Sequence, residues 1–202
     1  MIRAAIAVCF VTLASSFGVR SQGLQVNEQP LRDFAKVTQS RIDSKQLDIK
    51  KPFSLAMAAV ITEDGRLDKN ASRFTSQSGD PKMVETAKEA VMALGETGYF
   101  GYLKQLGINS ALLSMSQSNE SFTAEVVGGQ SYFKAFMTAS ALNTMIRVAS
   151  AQEKVPANQR LILQNTRASA ADGGVNINCT LPAADFQRMI LGNKAATAGP
   201  VQ

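Results

Sequence analysis

Histidine is absent from all 202 residues, and so is tryptophan. Without His, the Ser–His–Asp triads, the Cys–His dyads and most zinc sites are excluded. With three Tyr and no Trp, no base-stacking platform is available. Charge of one sign is not concentrated either, because basic residues are interleaved with acids, as in "DKNASR" and "AKEA". A phosphate-tracking surface needs the opposite arrangement, so nucleic acid is not an expected partner. Cysteine is scarce: Cys9 sits in the apolar N-terminal run, and its loss would leave Cys179 alone. A single thiol forms no internal disulfide, so a hydrophobic core must hold this fold. The six Pro are spread over the whole length and make no rigid spacer.

What is present is a globular balance, 45% hydrophobic and 18% charged. The opening "MIRAAIAVCFVTLASSFGVRSQGLQ" puts one Arg before an apolar run from Ala4 to about Val19. That is the shape of a secretory signal over residues 1–21, with an uncleaved membrane anchor as the alternative. Export is expected either way. Val8 stands where a lipoprotein acceptor would have a small residue before Cys9. Without Arg3 and Arg20 the formal charge falls from +5 to +3.

The periodicity then changes along the chain. Leu31, Phe34, Ala35, Thr38 and Ile42 fall at helical spacing behind Pro30, which predicts a helix over 30–44. From Phe53 the period is two: Phe53, Leu55, Met57, Ala59 and Ile61 alternate with smaller or polar residues. Asp64-Gly65 supplies a tight reversal, and a polar return strand is expected over 66–75. Asp80 and Pro81 form an N-cap and first turn, with Val84, Ala87, Val91 and Leu94 as the buried stripe. The same order recurs twice. Strands over 111–117 and 121–127 precede a long apolar helix over 131–152, expected to be central, with a short helix over 157–164. A third hairpin over 165–181 turns at Asp172-Gly173-Gly174, and the closing helix carries Phe186, Met189 and Ile190. Hairpin-then-helix three times predicts an α+β fold, with antiparallel ββα units forming one helix layer on one sheet. Residues 22–107 and 108–192 are expected to pack as one domain, with 193–202 a disordered tail.

Candidate chemistry is thin. Glu63/Asp64 and Glu85/Glu89 are paired carboxylates, the first suited to a turn and the second to a solvated helix face. Cys179 falls on the apolar side of its strand, the position of a structural thiol. Gly128-Gly129 is too short for a phosphate cradle. No catalytic residue, metal or cofactor is expected.

The stretch "FSLAMAAVITEDGRLDKNASRFTSQSGDPKMVETAKEAV" resembles the carboxy-terminal domain of TonB-type energy transducers. The matching features are the alternating strand ending in Asp64-Gly65, a return strand, Ser78-Gly79-Asp80, and a helix bearing Ala87 and Ala90. The resemblance implies a periplasmic domain that grips an extended segment of a partner, such as an outer-membrane transporter, by adding it to a sheet edge. It places the docking edge on the strand after the first ββα helix, here Leu112, Leu113, Ser114, Met115, Ser116 and Gln117. Family members also have a histidine-bearing membrane helix and a long Pro-rich spacer, and this chain has neither, so energy transduction by it alone is not expected. The resemblance thus points to a protein partner in the cell envelope, with membrane contact only through an uncleaved leader. A second reading, a periplasmic carrier of a small apolar ligand, uses a pocket under the 131–152 helix near Phe133 and Phe136.

Overall fold

A computed structural model describes residues 26–171 and 173–191; the expected leader, the tail and Asp172 lie outside them. Along the chain run α1 (Gln29–Asp43), β1 (Phe53–Val60), β2 (Arg73–Gly79), α2 (Pro81–Gly95) and α3 (Gly101–Gln105). There follow β3 (Ser110–Gln117), β4 (Ser121–Gly129), α4 (Tyr132–Ala151), α5 (Ala157–Gln164), β5 (Thr166–Ala171), β6 (Gly174–Pro182) and α6 (Ala183–Leu191). The six strands form one antiparallel sheet in the order β2-β1-β3-β4-β6-β5. Each hairpin is followed by a helix, and the helices pack against the sheet: the fold is α+β. The sheet is continuous across residue 107, because β1 pairs with β3 along its whole length.

Register explains the layering. Leu55, Met115, Ala124 and Cys179 are consecutive partners across four strands, and all four are buried. Their neighbours Ala56, Ser114, Glu125 and Asn178 form the parallel row on the other face and stay partly exposed. A strand with period two has one apolar face, so the helices must all lie on that side. Phe122 of β4 and Phe186 of α6, both fully buried, stack with ring centroids 3.8 Å apart, which fixes the closing helix to the sheet. Asp80 caps α2 as its position predicts: its side chain accepts from the N–H of Lys82 and of Met83, each at 3.0 Å.

Two expectations are corrected. The return strand does not cover 66–75. After the reversal at Gly65 (φ +77°) a single bridge joins Ile61 to Leu67. Asp68 then accepts from the N–H of Asn70 and Ala71, pulling the chain into a second turn. Pairing with β1 resumes only at Arg73. Nor is α4 central. Ala135, Ala139, Leu142 and Ile146 bury one side against β5, β6 and α5, while the opposite side faces solvent.

Candidate functional site

A sheet of six strands has two edges, and an edge is where this fold could take an extended segment. The strand expected to serve, β3, is not one of them. Residues 112–117 pair with β1 on one side and with β4 on the other. Leu112, Leu113, Ser114, Met115, Ser116 and Gln117 therefore have no unpaired main-chain side, and the docking assignment to them is overturned. The sequence pattern of the β3–β4 hairpin carries no sign of the long-range pairing of β1 to β3, which places the first unit in the sheet beside the second.

The true edges are β5 and β2, and they differ. Asn143, in the middle of α4, donates through Nδ2 to the carbonyl of Ala168 at 2.6 Å and accepts through Oδ1 from its N–H at 3.0 Å. One carboxamide thus does for the outer side of β5 what a neighbouring strand would do. The β5 edge is closed at its centre.

On β2 no such cover is present among the described residues, and Thr75 to Gly79 are all exposed. The bond from Asp80 N–H to Pro52 O, 2.9 Å, sets the alternation of the ladder. Ser76 and Ser78 turn their main-chain groups to β1, and Gln77 between them turns its N–H and C=O outward. A bulge opposite Ala56/Met57, which leaves Thr75 unmatched, shortens the usable edge.

Beside this edge lies an open cleft of about 300 Å³, lined in part by Ser54, Ser78, Gly79, Ser116, Ser118 and Ser121. Gln117 also lines it. That side chain is buried, and its Nε2 donates to Ile49 O at 2.6 Å. The carbonyl fixes the amide orientation, which leaves Oε1 as a buried acceptor with no hydrogen-bond partner. Gln117 thus borders the cleft, while its side chain lies on the buried face with Phe53 and Phe122, its partners in β1 and β4.

Phe133 and Phe136 do not line a pocket under α4. They are 75% and 54% exposed to solvent. A small cavity of about 10 Å³ lies beneath α2, among Leu55, Met57, Val91, Leu94, Leu113 and Met115. It is large enough for about one water, not for an apolar ligand.

The carboxylate pairs are engaged locally. Glu63 meets Lys104, and Glu89 accepts both guanidinium nitrogens of Arg41 at 2.6 and 3.0 Å, with Glu85 3.9 Å from Lys88. The bond with Glu89 raises the Arg41 pKa, against the opposing effect of burial. Thr62 donates to Asp64 at 2.5 Å, and that bond, helped by Arg66, holds the Asp64 carboxyl below its ordinary value. On the open face of the sheet Glu125 accepts from Asn176 at 2.6 Å and Ser114 at 3.3 Å. Among the described residues no group of three or more His, Cys, Asp and Glu could hold a metal ion.

Asn143 was missed from sequence. Its one local signal is an Asn in a helix interior, where the side chain usually weakens the helix unless it bonds elsewhere. No family model, curated protein or solved structure matches the chain.

Proposed function

We propose that the protein is a non-catalytic binding module of the cell envelope that takes an extended segment of a partner protein onto the outer edge of β2. The observation that carries this reading is the asymmetry of the two edges: Asn143 closes β5, and β2 stays open. The resemblance of 53–94 to TonB carboxy-terminal domains supports the same mode of binding, moved from β3 to β2. Export, and a partner such as an outer-membrane transporter, belong to the same proposal.

The energetics ask for both features. Main-chain bonds at Gln77 contribute about 1–3 kcal/mol for two bonds, too little for a specific complex. The serine-lined cleft touching Ser78 and Gly79 supplies further donors and acceptors for the partner's side chains.

The test uses the full chain and a peptide recovered from a random extended-peptide display. Q77P removes the outward N–H without touching a bond to β1 and should weaken that peptide roughly tenfold. Bound peptide should also slow hydrogen exchange at the Gln77 amide. S114P, in the sheet interior, should unfold the protein. Unchanged affinity in folded Q77P, with no protection at Gln77, rejects the β2 edge.

A further inference from the structure

We propose that α4 is a membrane-surface helix that lays its solvent side on an anionic phospholipid bilayer. Tyr132, Phe133, Phe136, Met137, Met145 and Val148 are between 43% and 75% exposed. At 100° per residue Phe133, Met137 and Val148 lie opposite Ala135, Ala139, Leu142 and Ile146, which face the sheet, while Phe136 and Met145 stand on the two flanks and Tyr132 lies nearer the sheet side. The six together expose on the order of 600 Å², most of it in the cluster of four at the N-terminal end, with Ser140, Thr144 and Arg147 standing between that cluster and Met145 and Val148. The four largest side chains occupy the first two turns. An aromatic-rich cluster of this kind is suited to entering the headgroup region, and a helix lying in the plane needs only about 5–10 Å of penetration.

Charge identifies the occupant. α4 carries Lys134 and Arg147 and no acid, and from Tyr132 to Gln164 the four cations Lys134, Arg147, Lys154 and Arg160 stand against the single acid Glu153. None of these cations is in an ion pair among the described residues. Packing two copies through α4 would gather their Lys134 and Arg147 side chains with no acid on either helix to neutralise them. An anionic bilayer neutralises them directly. The main contacts of α4 are with β5, β6 and α5, and in the described fold its exposed apolar residues are left uncovered. The proposal is independent of the β2 reading, which concerns the other end of the sheet.

The absence of Trp makes the test clean, because F136W is a single reporter in the full chain. Vesicles of phosphatidylcholine with about 30% phosphatidylglycerol should shift its emission to the blue and allow quenching by brominated acyl chains. Pure phosphatidylcholine should do neither, and about 1 M salt should reverse the effect. K134Q/R147Q in the F136W background should weaken vesicle binding roughly thirtyfold. L112W, on the opposite face of the sheet, should not respond, which separates α4 docking from attachment through the leader. Unchanged F136W emission on anionic vesicles overturns the proposal. A blue shift that follows protein concentration without vesicles, with a doubled mass in solution, also overturns it and assigns the cluster to a second copy.

Discussion

Asn143 does for Ala168 what a seventh strand would do, and it does so from the middle of a helix. Replacing it with the near-isosteric Leu leaves the Ala168 N–H and C=O unpaired in a partly buried place. N143L should cost about 1–3 kcal/mol, read as a lower urea midpoint. It should also open the β5 edge, so sedimentation velocity should show association that grows with concentration; a monomer of unchanged stability would refute the edge-closing role. Gly65 is a second residue with a defined task. Its φ is +77°, and a Cβ there would lie 2.5 Å from Gly101 N. The Asp-Gly pair was legible because a turn is a local matter of φ. Asn143 was not, because its partner is 25 residues away and nothing in "SALNTM" points to it.

At the scale of elements, helices and strands were readable where one face is buried. Phe53, Leu55, Met57 and Ala59 alternate in sequence and are buried in the fold. Val84, Ala87, Val91 and Leu94 keep helical spacing and lie under α2. Asp80 starts that helix, and D80A should cost about 1 kcal/mol, whereas D80N should recover most of it; thermal unfolding of both variants checks the cap. An equal loss in the two would assign the effect to charge at the helix N-terminus and not to the accepted bonds. The position of β2 was not readable in this way. Its residues "RFTSQSG" have an exposed, polar pattern with almost no period, as an outer strand must, so only pairing with β1 defines it. The long helix misled for a related reason. Its apolar residues surround it, and periodicity cannot say which side meets the sheet when both are hydrophobic.

For the whole molecule the decisive relation is strand order, which no local pattern encodes. Three hairpin-and-helix units were legible, but β1 lying beside β3 makes them one sheet and turns the expected docking strand into its interior. The same order separates the two proposed surfaces. The open edge of β2 and the α4 layer over β5 stand at opposite ends, five strand spacings or about 24 Å apart, so one can rest on a bilayer while the other remains free. A continuous sheet also predicts how the protein unfolds. Residues 26–107 alone would leave the inner side of β1 bare, and 108–191 alone would bare β3, so neither piece should fold by itself. Urea transitions of the full chain, followed by far-UV circular dichroism and by tyrosine emission, should coincide in a single step. With Tyr132 replaced by Phe (Y132F), Tyr99 and Tyr102 report on the first half, and β4 to β6 contribute to the dichroism of the second. Two separated transitions, or a folded 26–107 fragment, would mean that the pairing of β1 with β3 is a weak seam, and the units would then behave as independent domains sharing an edge.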